Sequence, residues 1–317
     1  MADADDSTRD SERWTFLLVI GIAAGITLPL LGAIGYFDPW ETNYAEVARQ
    51  MGVRDDYLYP FWKDSYFFSK PVLLFWLTAP FYKLLGATHP GGPIPALAEL
   101  CGRLPSALSA ISCVAVSYFG AQRMWGRRAA LYGCLVLSTL PFWAFLSRQA
   151  ITDMLYVAPA SAAFILLAVA LFDDDVAAST RERKLPRWLV GVAALCTIPQ
   201  LIEIARNNAM LNRVELFGSE AASRVALGVI LVGLALLLLV WLWARAKDPL
   251  LHAAAILFAL STLAKGPVGV GVCGLTLLIT LAVLGEWERL LRPMAVSCMV
   301  LFLAITAPWP TVMYFFT

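Results

Sequence analysis

The sequence predicts an all-α, polytopic transmembrane helix bundle. Three observations carry this. Sixty per cent of the 317 residues are apolar and 15% charged, with a mean hydropathy of +0.70, against roughly 25% charged in a soluble domain. The charges fall in blocks that leave nine long uncharged windows, 15–37, 104–122, 129–147, 154–172, 188–202, 225–244, 249–264, 266–285 and 294–317. Strand-type alternation of the barrel kind is absent, so helices are the structures that satisfy the backbone in lipid. A soluble core enzyme and a disordered chain are excluded. A net charge of +1 excludes holding nucleic acid by bulk electrostatics.

Each element follows from length and charge. Residues 1–14 form a polar tail, and 15–317 the membrane domain. The apolar run after the tail is too long for a signal-peptide core and reads as a retained first span. Seven windows meet the roughly 17–25 residues that a spanning helix needs, and 188–202 and 249–264 need flanking residues. The stretch 71–82, PVLLFWLTAPFY, holds twelve uncharged residues including two prolines, which suits an interfacial or re-entrant helix. With the N-terminus cytoplasmic and 71–82 not spanning, 13 of the 24 basic residues, from Arg9 to Arg292, fall in short cytoplasmic loops. The positive-inside rule favours that arrangement. It predicts about nine spans, a long external segment 38–103, an external loop 203–224 and a solvated cytoplasmic loop 173–187 carrying Asp173–Asp175. Cys101, Cys113, Cys134, Cys196, Cys273 and Cys298 are widely spaced and read as small apolar helix residues. His89 and His252 lack ligand-spaced partners.

Four polar clusters then fall at the outer face: Asp38–Glu46 (DPWETNYAE), Ser69-Lys70-Pro71, Arg148–Asp153 (SRQAITD) and Lys265-Gly266-Pro267. Charges at a helix mouth must be compensated by a partner or a substrate. Within 41–52 the residues Tyr44, Val47, Ala48 and Met51 follow helical spacing, predicting an amphipathic interfacial helix with Glu41, Asn43, Glu46, Arg49 and Gln50 off the apolar stripe. The aromatics from Tyr57 to Phe68 read as an interfacial belt, or alternatively as a groove for an isoprenoid chain. Carboxylates at such a mouth can take a proton from an acceptor, and lysine or arginine can neutralise a bound or departing phosphate. The set suits group transfer from a lipid-phosphate donor.

At these residues the chain resembles the integral-membrane C-type glycosyltransferases, in the branch of the bacterial lipid A aminoarabinose transferases and the protein O-mannosyltransferases. The resemblance rests on PWETNYAEVARQM, YFFSKPVLLFWL, RLPSALSAI, WGRRAALYG, SRQAITDMLY, LAKGP and APWP in that order, across roughly 30–155 and 255–312. It implies a polyprenyl-phosphate-linked sugar donor, a lipid, protein or glycan acceptor, and a cavity facing the periplasm of an inner-membrane protein. It implies Glu41 and Asp153 as cavity residues and Lys70 near the donor phosphate. Asp38 or Glu41 is then the candidate base and Asp153 the third catalytic candidate, with Tyr44, Glu46, Lys70, Arg148 and Lys265 as substrate-binding candidates. Three departures stand out. Trp40 occupies the position of the family's Asp before Glu, the nearest aspartate being Asp38 two residues earlier. Ser69 stands where the family has the acid before Lys-Pro, so a metal site that uses that acid is not supported, and no cofactor is expected. The windows 188–202 and 225–244 look like an added hairpin. The chain stops in APWPTVMYFFT where relatives continue, which is what a fragment or half of a split enzyme would show. The alternatives to a glycosyltransferase are a non-catalytic or split subunit of an envelope glycan assembly system, or a transporter of a lipid-linked substrate.

Overall fold

The computed structural model describes residues 2–85, 97–207 and 220–315. Among these, fourteen α-helices make up nearly all of the regular structure. They are α1 (Ala2–Thr27), α2 (Trp40–Arg54), α3 (Leu73–Leu84), α4 (Ala98–Trp125), α5 (Arg127–Thr139), α6 (Pro141–Ser147), α7 (Thr152–Phe172), α8 (Asp174–Arg181), α9 (Arg187–Asn207), α10 (Glu220–Arg245), α11 (Pro249–Lys265), α12 (Val268–Leu284), α13 (Val296–Thr306) and α14 (Pro308–Phe315). A two-residue hairpin, β1 (Phe61–Trp62) with β2 (Ser65–Tyr66), lies between α2 and α3. His89 and most of the predicted external loop 203–224 lie outside the described residues.

The helix positions follow the predicted windows, but the count of nine spans is not reached by length and composition. Four helices, α4, α7, α9 and the Ala222–Arg245 part of α10, are long and apolar enough to cross a membrane; counting the bent pairs α5–α6 and α13–α14 as one span each gives six. Proline explains the difference. Pro141 opens α6 after a 65° bend and Pro308 opens α14 after a 49° bend, since proline at a first helical position neither needs nor offers an N–H. Pro249 and the Gly266-Pro267 turn confine α11 and α12 to 17 residues each. Gly266 has φ +87°, a conformation that glycine adopts without strain. The first window also ends early, because α1 stops at Thr27 and 28–39 is turn and coil.

The core is layered around α7. This helix packs against α4 on one side and α11 on the other; α11 also meets α13, α1 packs on α4 and α5, and α9 pairs with α10. The predicted interfacial segments form a separate shelf. The twelve residues of α3 measure about 18 Å at 1.5 Å per residue, well short of a 30 Å hydrocarbon core. They lie against α2. Tyr44, Val47, Ala48 and Met51 of α2 are all buried, against Leu74, Phe75 and Ala79 of α3 in the same apolar cluster. Within the shelf Trp76 donates its indole N–H to the Tyr57 carbonyl at 2.6 Å, and Trp309 of α14 fastens the shelf to the bundle by donating to the Leu58 carbonyl at 2.9 Å.

Candidate active site

Two of the four predicted clusters are drawn together by one buried ion pair, and a second pair, Asp153–Lys265, brings in a third. Glu41, in the first turn of α2, is 1% exposed, and its partner Arg103 on α4 is 3% exposed. Arg103 Nε donates to Glu41 Oε1 at 2.9 Å and its Nη2 to Oε2 at 2.8 Å. The rest of the guanidinium donates to the carbonyls of Leu31, Ile34 and Gly35 at 2.7–3.0 Å. Glu41 further accepts from the backbone N–H of Phe37 at 2.9 Å and of Ala150 at 2.6 Å. A buried pair is stable only when the remaining lone pairs and protons are satisfied, and here four donors meet the two carboxylate oxygens. The clamp therefore joins the coil after α1, the start of α2, the start of α4 and the SRQAITD segment.

This corrects one sequence reading and adds a residue that it missed. Glu41 does not lie off the buried face of α2. It sits one turn before Tyr44 and Ala45, and Arg103 supplies the charge that makes its burial tolerable. Arg103 was visible only as the first letter of RLPSALSAI. The signal for it was an arginine standing at the edge of the uncharged window 104–122, where a charge demands a partner.

Arg148 is also spent on the scaffold. It donates to the carbonyls of Ile26, Thr27 and Pro29 at 2.8–3.0 Å, capping carbonyls that α1 leaves unpaired at its end. The geometry thus makes Arg148 a brace between α1 and the Asp153 segment, where a substrate contact was expected.

Asp153 and Lys265 do meet. Lys265 Nζ donates to Asp153 Oδ1 at 2.7 Å, with the side chains 35% and 39% exposed, and the ammonium lies 5.8 Å from the centre of the Tyr156 ring. The start of α7 and the end of α11 supply this pair, so the first-turn carboxylate and last-turn lysine each sit where the helix dipole favours them. Tyr44 is adjacent: burial pushes its phenol up, and the charge of Asp153 adds to that. Its ring packs edge-on to Phe67 at 6.1 Å. Glu46 faces away into a local network, accepting twice from Arg49 and once from Gln50, each at 2.7 Å. Burial acts to raise its carboxyl, but these hydrogen bonds and the Arg49 charge together hold it below the ordinary value.

Two predicted groups remain uncommitted. Asp38 is exposed, and among the described residues its carboxylate accepts only the Thr42 hydroxyl, at 3.0 Å. Lys70 is half-buried and, among the described residues, has no ion pair. Of the four carboxylates singled out in the sequence, Asp38 alone lacks a cation among the described residues. No group of three or more His, Cys, Asp or Glu side chains arranged to hold a metal occurs among them.

The overall helical fold is similar to that of a solved protein. Crystal structures of ArnT from Cupriavidus metallidurans, apo and bound to undecaprenyl phosphate, superpose on 93% of this chain with TM-scores of 0.60 and 0.61 at 20% identity. The likeness is one of fold. The superposition covers 41% and 40% of those chains. Among curated proteins, the chain is 29% identical over 178 residues to the undecaprenyl phosphate-α-4-amino-4-deoxy-L-arabinose arabinosyl transferase of Pectobacterium atrosepticum, covering 56% of this chain and 29% of that one. It is 28% identical over 127 residues to a second such transferase of Pseudomonas fluorescens, covering 40% and 21%. The match with the Yersinia pestis protein is 28% over 158 residues, covering 50% and 26%. The chain thus spans between a fifth and a third of the length of the curated relatives it matches. No protein-family model matches the sequence.

Proposed function

We propose that the chain acts as a membrane glycosyltransferase, moving a sugar from a polyprenyl-phosphate carrier to a lipid, protein or glycan acceptor at the outer, periplasmic face, with its N-terminus in the cytoplasm. The observation that carries the reading is the division of charges at the mouth. Asp38 is held beside the Glu41–Arg103 clamp without a cation of its own, and Lys70 has no carboxylate partner among the described residues. That leaves one base and one phosphate-binding cation. The C-type fold, and the undecaprenyl phosphate bound by the solved relative, support the choice of carrier. The relatives' names support an amino-pentose as the sugar.

In the step proposed, an acceptor oxygen attacks the anomeric carbon while Asp38 takes its proton. The bond from that carbon to the phosphate oxygen breaks, and polyprenyl phosphate departs with the bonding pair. Lys70 binds the departing phosphate. Lys265, held by a half-exposed pair, is free to exchange Asp153 for a phosphate oxygen as the negative charge grows. Glu41 has its oxygens occupied by four donors, so the base role passes to Asp38 and Glu41 fixes the loop that bears it.

The test is transfer in proteoliposomes from radiolabelled undecaprenyl-phosphate 4-amino-4-deoxy-L-arabinose. Asp38→Asn should lower kcat about 10²- to 10⁴-fold, the usual contribution of a positioned base, with carrier binding unchanged. Lys70→Met should raise KM for the donor. Wild-type turnover in both variants overturns the assignment. A folded wild-type protein that binds carrier but never cleaves it favours a non-catalytic or split subunit, and passage of uncleaved donor across the vesicle favours a transporter.

A further inference from the structure

A cavity lies between α1 and α4, at the far end of the bundle from the candidate site. Along α4 its Gln122 stands about 28 Å from Arg103 at 1.5 Å per residue, close to the roughly 30 Å of a hydrocarbon core, so it opens at the opposite membrane surface. Trp14, next to Arg13, and Trp125, near Gln122, are both exposed, and tryptophan gathers at headgroup depth. The cavity encloses about 520 Å³, within the range of small-molecule sites. Phe16, Val116 and Phe119 give it apolar walls, and Glu12, Arg13 and Gln122 give it polar groups. Tyr118 lines it too. This residue is 2% exposed, its ring is tilted against Phe16 at 5.6 Å, and its hydroxyl is buried with no hydrogen-bond partner among the described residues. A buried hydroxyl left unpaired costs free energy, so it marks a place for a ligand atom. Glu12 and Arg13 are exposed and form no ion pair among the described residues. Arg127 Nη1 donates to Ser11 Oγ at 2.7 Å, tying to α5 the turn of α1 that carries both charges.

We propose that this cavity binds a zwitterionic aminophospholipid, phosphatidylethanolamine. Its ammonium meets Glu12, its phosphate meets Arg13, and an ester or phosphate oxygen accepts from the Tyr118 hydroxyl. The first part of its chains lies on Phe16, Val116 and Phe119. The two adjacent charges of opposite sign make the choice. Arginine alone suits the phosphate of any phospholipid. Phosphatidylglycerol would bring a hydroxyl where Glu12 calls for a cation, and phosphatidylcholine would bring methyl groups where Glu12 can accept N–H bonds. An ethanolamine headgroup has the phosphate and the N–H donors together. A plain surface anchor would use the charges and the tryptophans but leave the Tyr118 hydroxyl stranded. The binding does not depend on transfer of a sugar, and in the topology proposed above the lipid comes from the inner leaflet.

Native mass spectrometry on the full chain in detergent tests it, with dioleoyl phosphatidylethanolamine as probe and the phosphatidylglycerol and phosphatidylcholine of the same chains as separate arms. The ethanolamine lipid should be retained about tenfold better than the other two, equivalent to about 1.4 kcal/mol. Glu12→Gln should abolish that preference, and Arg13→Gln should weaken all three lipids. Both side chains are exposed, so these variants fold. Thermal melts supply the arm for the buried hydroxyl. Wild type should gain stability on addition of the ethanolamine lipid, as ligand linkage requires. Tyr118→Phe should melt like wild type without lipid and gain less with it. Equal retention of the three lipids overturns the proposal, as does a preference for phosphatidylglycerol or an ethanolamine preference that survives Glu12→Gln. A Tyr118→Phe melt lowered equally with and without lipid would give the hydroxyl a water as its partner, and also overturns it.

Discussion

The candidate site holds two ion pairs of opposite character. Glu41–Arg103 is almost wholly buried and surrounded by backbone partners, its carboxylate taking four donors. Asp153–Lys265 is more than a third exposed, rests on one 2.7 Å contact, and has an aromatic ring rather than backbone beside it. The first can be broken only at the full cost of a stranded charge. The second can be exchanged for a ligand at little cost, because water already solvates both partners. Opposite charges in one mouth thus divide between building the site and meeting what enters it, and burial decides which charge does which.

The largest effect should come from breaking the buried pair on one side. Glu41→Gln leaves the Arg103 guanidinium in the core without its anion, which typically costs about 3–5 kcal/mol. A thermal melt in detergent should show a large fall, accompanied by loss of transfer. Replacing both partners, Glu41→Gln with Arg103→Met, should cost less than the sum of the singles, because no lone charge remains. Additive losses would show that the two residues act independently and would end the comparison.

The difference between the pairs also explains what was legible in the sequence. The windows located the helices because hydrocarbon thickness and charge exclusion act on composition alone. The amphipathic spacing of Tyr44, Val47, Ala48 and Met51 placed α2 for the same reason. Asp153 and Lys265 were found because both stand at helix ends next to breaks, where an isolated charge is conspicuous. The burial of Glu41 and the capping role of Arg148 were not legible. Each depends on a partner far away in the chain, Arg103 in one case and the end of α1 in the other, and sequence spacing carries no information on such pairings. The count of nine spans is not confirmed, since four to six of the described helices qualify by length and composition, and an uncharged window registers neither the bends at Pro141 and Pro308 nor the shortness of α11 and α12.

A smaller effect should come from packing beneath the exposed pair. Gly269 on α12 lies where a Cβ would come within 2.8 Å of Ser261 Oγ, 3.0 Å of the Tyr156 ring and 3.1 Å of Ala160 Cβ. Gly269→Ala should therefore cost about 1–3 kcal/mol of overpacking. It should also displace Tyr156 from Lys265 and alter transfer more than a surface glycine change does. Gly271, where an added methyl would meet nothing within 4 Å, is the control, and equal losses at the two glycines would refute a packing origin.

The exposed pair itself should be nearly silent in stability. Lys265→Gln removes a surface-type ion pair, worth about 0–1 kcal/mol, so the melt should barely move. Donor KM should nonetheless rise, since the cation that exchanges partners is gone. A large stability loss with unchanged KM would assign Lys265 to the scaffold and make the two pairs alike.

The smallest effect tests a third carboxylate, intermediate between these two. Glu46 is half-buried, and its hydrogen bonds from Arg49 and Gln50 outweigh burial and hold its carboxyl below the ordinary value of 4.5. A depressed folded-state value means that the stabilisation is fully present above the ordinary value and is lost as pH falls through the folded one. Above the ordinary value of 4.5 the network should therefore contribute a constant amount, and below it the contribution should fade as Glu46 takes a proton. Glu46→Gln should flatten that acid limb of the melting profile while leaving the neutral-pH melt almost unchanged, because the side chain is partly solvated and the interaction is local. An acid limb that persists in the variant would transfer the effect to another carboxylate, exposed Asp55 being the first to examine, since Lys83 and Arg206 hold it low in the same way.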